Sequence, residues 1–300
     1  MATDANLRGV YIPIITPFSD DGSVATDALE RLCHEYLDAG AAGIVALGTT
    51  GESTALDPDE KQAVIAACST VCAERSAQLI VGAGTNNTRT TRRAVKELAG
   101  TPALVATLIV VPYYVRPSEA GIVAHLKAVA EVSPVPVVVY NIPARTGRNL
   151  SARNLHELAR TLNFAGVKQA PAALDDDTLD LLRLTNPVDG FSVLGGTDTF
   201  LFSLVLLGGA GTICASAHVC TERFVAMIEC GLAGKVDEGR AHAEALLPVT
   251  HALFAEPNPA VFKGVLHAQG RIPTAEVRLP LLDASPDATQ RAIDAIAAAS

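Results

Sequence analysis

The stretch VPVVVYNIPARTGRNLSARNLHELARTLNFAGVKQ, residues 135–169, contains the structural unit that this chain repeats. It begins with a nearly continuous apolar run at residues 135–141 and continues through a helix-forming segment at residues 151–161. A second apolar run, Phe164–Gln169, ends it. Because such Val-, Ile- and Leu-rich runs are typical of parallel strands covered on both faces, the stretch predicts a strand, a helix and a second parallel strand.

The same unit recurs along most of the chain. Eight apolar runs lie at residues 10–17, 43–48, 79–84, 103–111, 135–141, 164–169, 191–196 and 211–216. Helix signals follow them, at residues 28–39, 59–73, 88–99, 118–131, 151–161, 175–184, 198–207 and 221–232. A doubly wound open sheet is the alternative architecture, but eight even units favour closure. The sequence therefore predicts an α/β fold of the (β/α)8 TIM-barrel type.

The end of the chain has a different pattern. It lacks further strand signals and predicts about three helices, at residues 236–254, 259–268 and 286–299. No linker-like segment precedes it. We therefore expect residues 1–233 to form the barrel and residues 234–300 to form a C-terminal helical region packed on it.

Composition excludes several classes of protein. The chain has 23 basic and 32 acidic residues, a formal charge of −9, and no basic cluster suited to nucleic acid. Its six cysteines do not resemble the disulfide framework of a small secreted domain. Neither a signal peptide nor an apolar stretch long enough for a bilayer is evident. We expect a cytoplasmic protein without nucleic-acid or membrane partners.

Lys168 is the first candidate for chemistry, because it ends an otherwise apolar run. Lysine is rarely buried without a partner, although such a residue can also extend its amine to solvent. Burial penalises the ammonium form, so the neutral amine becomes available to attack a carbonyl. Active sites of TIM barrels lie where the strands end, and there the chain also carries Tyr140 and the pair Tyr113-Tyr114. Either tyrosine position could supply a proton shuttle or an aromatic plug over the barrel.

The loops after the other strands add groups that could hold a substrate. Residues 48–53, Gly-Thr-Thr-Gly-Glu-Ser, offer hydroxyls and backbone N–H groups for a small carboxylate. Arg145 could bind a second carboxylate, and Gly196 leaves open space beside the seventh strand. No histidine stands at a strand end, and we expect no metal site. One amine, several hydroxyls and a guanidinium indicate imine chemistry on a keto acid, without a cofactor.

In these motifs the chain resembles the dihydrodipicolinate synthase / N-acetylneuraminate lyase family of pyruvate-dependent class I aldolases. The segments GTTGES, PYY, YNIPARTG and GVK occur in the family's order, and the likeness covers nearly the whole chain. The resemblance implies that Lys168 forms a Schiff base with pyruvate and that Tyr140 gives and takes protons. Thr49 and Tyr114 would complete a proton relay with Tyr140.

The resemblance also implies the remaining contacts with the substrates. Thr50 would bind the pyruvate carboxylate, and the carbonyl of Ile213 would face the pyruvate. Tyr114 would come from a neighbouring subunit, so a homodimer or homotetramer is expected. Arg145 matches the synthase pattern, in which arginine receives the carboxylate of L-aspartate-4-semialdehyde. The implied reaction condenses pyruvate with this aldehyde to 4-hydroxy-tetrahydrodipicolinate, in lysine and diaminopimelate biosynthesis.

Two loops depart from the synthase pattern, at residues 169–173 and 195–198. Both belong to the side of the pocket that would receive the second substrate. They keep open a paralogous aldolase or dehydratase acting on another 2-keto acid, of the sugar-acid or hydroxy-oxoglutarate type. A non-catalytic barrel is a third interpretation, which the presence of Lys168 and the tyrosines disfavours. Pro58, Lys61 and Thr90 match the site at which lysine-inhibited relatives carry histidine and glutamate, so we expect weak or absent feedback by L-lysine.

Overall fold

The computed structural model describes residues 6–299, and its eight parallel strands form a closed barrel. Each strand pairs with the next along the chain, and the eighth pairs with the first. The strands are β1 (Gly9–Pro13), β2 (Gly43–Ala46), β3 (Gln78–Gly82), β4 (Leu104–Val110), β5 (Val137–Asn141), β6 (Phe164–Gln169), β7 (Ser192–Gly195) and β8 (Gly211–Ile213). The predicted TIM barrel is confirmed.

Helices cover the outside of this barrel. Those before the C-terminal region are α1 (Thr26–Asp38), α2 (Pro58–Glu74), α3 (Thr88–Glu97), α4 (Glu119–Ala130), α5 (Pro143–Thr146), α6 (Ala152–Ala159), α7 (Asp176–Thr185), α8 (Leu201–Leu206) and α9 (Thr221–Leu232). The start of α2 shows why local sequence sets these bounds. Asp57 accepts a hydrogen bond from the Glu60 N–H, and the Glu60 carboxylate accepts one from the Asp57 N–H.

Two helices differ from the sequence pattern. The short α5 was not predicted, and it lies in the loop that carries Arg145. The helix predicted at residues 198–207 is shorter, because α8 begins at Leu201. Asp198 lies outside it, since its carboxylate accepts a hydrogen bond of 2.7 Å from the Ser216 N–H. A contact between residues so far apart in sequence overrides the local helix signal.

The predicted C-terminal helices are present as α10 (Val236–Leu253), α11 (Ala260–Ala268) and α12 (Pro286–Ala299). Helix α10 packs against α9 and α12, and α11 packs against α12. Apolar side chains of α10 and α11 share one core cluster with those of α1, α2 and β1. Among residues 6–299, no helix is both long enough and apolar enough to cross a membrane.

The strand register places the candidate residues at one rim of the barrel. Tyr140 of β5 pairs with Lys168 of β6, and Lys168 pairs with Leu194 of β7. Below this rim, side chains such as Tyr11, Val45 and Ile80 fill the interior. The barrel interior is therefore a packed core, and the candidate residues lie at the carboxyl ends of its strands, where the active sites of such barrels are found.

Candidate active site

Lys168 and Tyr140 form the centre of the candidate site. They are 7% and 6% exposed, and Lys168 Nζ lies 4.5 Å from the centroid of the Tyr140 ring. Gly196 lies against the alkyl chain of the lysine, because a Cβ atom there would come within 2.9 Å of two Lys168 carbons. The chain thus uses glycine at this position to let the lysine side chain pass along the end of β7.

Asp198 brings a carboxyl group near the lysine. Its Oδ2 accepts hydrogen bonds from the Ser216 N–H at 2.7 Å and from the Cys214 thiol at 3.4 Å. Burial raises the pKa of the Asp198 carboxyl, while the Ser216 N–H and the charge of Lys168 act in the opposite direction. No role was predicted for Asp198, although an acid two positions after the open glycines of the seventh strand was the available signal.

The loop after β2 carries the two threonines that we expected to contact substrate. Thr50 is 3% exposed, and its Oγ1 accepts a hydrogen bond of 3.0 Å from Asn258 Nδ2. Thr49 is partly exposed. Within residues 6–299, no hydrogen bond joins Thr49 to Tyr140. Ile213 is fully buried where β8 ends, in the cluster that also contains Tyr140.

Glu52, the carboxylate nearest the site in sequence, is held in a buried ion pair. Lys263 Nζ lies 2.6 Å from Glu52 Oε1, and the Arg278 N–H donates to Glu52 Oε2 over 2.8 Å. Burial lowers the pKa of Lys263 to about 8, against the opposing effect of Glu52. Glu52 is therefore an anchor for its loop. The position of its partner Lys263 within an otherwise apolar helix segment, AVFKGVLHA, was the signal available in the sequence.

Tyr114 lies apart from the other candidates. Its side chain is 87% exposed, and its backbone is left-handed with φ 70°. The structure therefore does not place Tyr114 beside Tyr140 within a single chain. Its contribution across a subunit interface stays a prediction.

A cavity of about 500 Å³ adjoins the rim of the barrel. Arg145 and Gly196 line it together with Asp198. His251 of helix α10 and Phe254, which directly follows this helix, line the same cavity. The sequence did not point to these two residues, because only the packing of α10 brings them to the rim. The cavity has room for a small molecule beside Arg145.

His218, the histidine that follows the last strand, is part of the buried core. His218 follows β8 but is buried, where its Nε2 accepts from the Ile15 N–H and its Nδ1 donates to the Ala215 carbonyl. This burial lowers the pKa of His218 to about 4. In the part of the chain that the structure describes, no three His, Cys, Asp or Glu residues are grouped to hold a metal ion.

Comparisons with known proteins agree over nearly the whole chain. The model of the "Dihydrodipicolinate synthetase family" matches residues 6–299. The 4-hydroxy-tetrahydrodipicolinate synthase of Moorella thermoacetica is 37% identical over 282 residues, 94% of each chain. The crystal structure of dihydrodipicolinate synthase from Thermotoga maritima has a TM-score of 0.93 and 32% identity, and covers 98% of both chains. That of the chloride-inhibited Acinetobacter baumannii enzyme complexed with pyruvate has a TM-score of 0.90 and 31% identity, covering 97% of this chain and 98% of its own.

Proposed function

Because this chain belongs to the dihydrodipicolinate synthetase family, as its motifs predicted, we propose that it condenses pyruvate with L-aspartate-4-semialdehyde. It is a lyase similar to 4-hydroxy-tetrahydrodipicolinate synthase, an enzyme of lysine and diaminopimelate biosynthesis. The observation that carries the proposal is the burial of Lys168 beside Tyr140 at the carboxyl ends of the strands. A related enzyme with pyruvate bound supports the choice of keto acid.

The first step forms an imine. The neutral amine of Lys168 attacks the carbonyl carbon of pyruvate, and the oxygen leaves as water. The Tyr140 ring lies 4.5 Å from the amine, measured to its centroid, and in this proposal its phenol gives and takes the protons of this step. Thr50, with the backbone of its loop, holds the carboxylate, and Ile213 turns its carbonyl toward the bound keto acid.

The second step forms the carbon–carbon bond. The imine withdraws electrons from the neighbouring methyl group, which loses a proton and becomes a nucleophilic enamine. The enamine carbon attacks the aldehyde carbon, whose oxygen takes up a proton, while Arg145 binds the carboxylate of the aldehyde within the cavity. The amino group of the semialdehyde then attacks the imine carbon, which closes the ring and frees the Lys168 amine. The lysine imine supplies the electron sink throughout, so the proposed reaction uses no cofactor and no metal.

We extend the proposal to a homodimer or homotetramer in which Tyr114 reaches the site of a neighbouring subunit. Tyr114 is 87% exposed and Val115 is 59% exposed, which supports this arrangement. Large apolar side chains exposed next to one another are typical of protein interfaces. Tyr114 would then join Thr49 and Tyr140 in the proton relay. A cytoplasmic location fits a biosynthetic enzyme of this kind and stays a prediction.

One observation favours a second candidate, an aldolase or dehydratase acting on another 2-keto acid. The cavity beside Arg145 is lined by the small apolar segment Ala170-Pro171-Ala172. This segment is one of the two loops that depart from the synthase pattern. A change there would alter the acceptor aldehyde while keeping the imine at Lys168. Turnover of a panel of aldehydes, with pyruvate held constant, separates the two candidates.

The imine itself is tested by trapping. The protein is incubated with pyruvate, reduced with borohydride, digested, and its peptides are weighed. We expect added mass on the peptide that contains Lys168. A matched Lys168→Arg variant should gain none, because a guanidinium stays protonated and does not act as a nucleophile. Unmodified Lys168 in the wild-type protein, or an equal adduct in the variant, would overturn the proposal.

A further inference from the structure

The loop that carries Thr49 and Thr50 is held in place by the C-terminal region. Glu52 ends this loop in a left-handed backbone conformation, with φ 52°, and is buried. Its carboxylate contacts Lys263 Nζ at 2.6 Å and the Arg278 N–H at 2.8 Å. Both partners come from the end of the chain. The backbone of the loop is therefore fixed by contacts outside the barrel.

Lys263 is itself firmly held. It has no exposed side-chain surface, and its Nζ donates to the Glu276 carbonyl at 2.7 Å. The same Nζ lies 3.9 Å from the centroid of the Phe18 ring. A buried cation with three such neighbours has little freedom to move. It follows that Glu52, and the loop before it, are held in a single arrangement.

One contact from the C-terminal region reaches a residue that we place in the substrate site. Asn258 Nδ2 donates a hydrogen bond of 3.0 Å to Thr50 Oγ1. A threonine hydroxyl has one proton to donate, and its oxygen accepts. The amide occupies the accepting oxygen, so the hydroxyl proton stays available for another acceptor. Asn258 Oδ1 accepts no hydrogen bond from residues 6–299. It therefore does not take up the hydroxyl proton of Thr50.

We propose that Asn258 is a positioning residue that directs the Thr50 hydroxyl proton toward the carboxylate of the bound keto acid. This inference rests on the proposed function and deepens it. It assigns Asn258 an effect on the affinity for the keto acid, transmitted through Thr50. Asn258 does not change the chemical reactivity of the Lys168 amine.

The test measures the pyruvate concentration that gives half-maximal borohydride-trapped adduct in a fixed, brief reduction. In Asn258→Asp, the nearly isosteric carboxylate can only accept, so Thr50 must donate to it and no longer to the substrate. We expect the half-saturating concentration to rise about 10- to 100-fold, as for the loss of a hydrogen bond to a charged group. The maximal yield of adduct should stay close to that of the wild type. Gln290→Leu, at an exposed position of α12, is the matched control and should behave as wild type.

A double-mutant cycle separates this role from a purely structural one. Asn258→Leu alone should raise the half-saturating pyruvate concentration several-fold, and Thr50→Val should raise it at least as much. Combining the two should give no further loss, because Asn258 acts through the hydroxyl that Thr50→Val removes. Losses that multiply in the double variant, or an Asn258→Asp variant with wild-type affinity, would overturn the inference. Absence of adduct in the wild type would instead overturn the proposed function.

Discussion

Lys168 and Tyr140 are direct partners across β6 and β5, and the lysine Nζ lies 4.5 Å from the centroid of the tyrosine ring. The pairing follows from the register of the barrel, so the distance does not depend on a flexible loop. Close-packed strands hold both side chains. The proposed nucleophile and its proposed proton donor are thereby kept in one geometry before any substrate binds, and such an arrangement lowers the entropic barrier to reaction.

Replacing Tyr140 by phenylalanine removes the phenol oxygen and keeps the ring beside Lys168. We expect kcat to fall about 100- to 10,000-fold, the usual contribution of a positioned acid–base group. A coupled reductase assay gives the rate, and borohydride trapping should still detect the adduct, formed more slowly. A variant with wild-type kcat would exclude Tyr140 as the proton donor.

Replacing Arg145 by alanine should affect the second substrate more than pyruvate. Arg145 lines the cavity in which we propose that the aldehyde binds, and its loss should leave the aldehyde carboxylate without a bidentate partner. We expect the KM for the aldehyde to rise more than about tenfold, while the pyruvate dependence of adduct trapping is unchanged. Arg145→Lys keeps the positive charge but lacks the planar guanidinium. Its KM for the aldehyde should lie between those of the wild type and Arg145→Ala. Equal losses for both substrates would contradict this role.

Replacing Lys263 by methionine should destabilise the fold. The side chains have similar length, but the change leaves the Glu52 carboxylate buried without its cation. We expect a loss of about 3–5 kcal/mol in the free energy of unfolding, measured by chemical denaturation. Adding Glu52→Gln to this variant should restore part of the loss, since no buried charge remains. If the single variant unfolds like the wild type, the pair is not an anchor.

His218 should make stability depend on pH. Burial, with a smaller contribution from the charge of Arg271, lowers its folded pKa from 6.5 to about 4, against the opposing effect of its hydrogen bond to the Ala215 carbonyl. Between these two pKa values the unfolded chain binds more protons than the folded chain. The contribution of the neutral, buried His218 to the free energy of unfolding is therefore complete above pH 6.5. It is lost as the pH falls toward 4.

The check is a comparison of unfolding free energies for the wild type and His218→Gln across this window. Glutamine can still accept a hydrogen bond from the Ile15 N–H, as His218 Nε2 does, but it does not titrate. The difference between the two proteins should shrink or reverse by on the order of 3 kcal/mol from pH 6.5 to pH 4. A difference that is constant with pH would show that His218 does not carry the effect.

Feedback by L-lysine should be weak or absent. Pro58, Lys61 and Thr90 line a cavity of about 620 Å³ together with the ion pair of Arg93 and Glu97. Because Glu97 balances the charge of Arg93, Lys61 gives this space a net positive charge, which repels the ammonium groups of lysine. Initial rates measured with increasing L-lysine should therefore stay near those without it. Strong inhibition below about 1 mM, which corresponds to about −4 kcal/mol of binding, would contradict the prediction.

The sequence predicted the fold and the rim residues because both follow from local patterns. Apolar runs of strand length with helix caps between them are set by neighbours in the chain, and strand ends identify Lys168 and Tyr140. Glu52 shows the limit of such reasoning. It stands in the predicted substrate loop, yet its partner Lys263 follows more than two hundred positions later. No local pattern encodes that ion pair.

The amino-acid sequence alone therefore determined a closed parallel barrel with a lysine and a tyrosine at adjacent strand ends. Periodicity and strand order are properties of neighbouring residues. Tertiary structure alone decided which groups support them. Asn258 donates a hydrogen bond to Thr50, Lys263 forms an ion pair with Glu52, and helix α10 lies along the cavity that Arg145 lines. These contacts depend on how the C-terminal helices pack against the barrel, and that packing is settled by burial and shape across the whole chain.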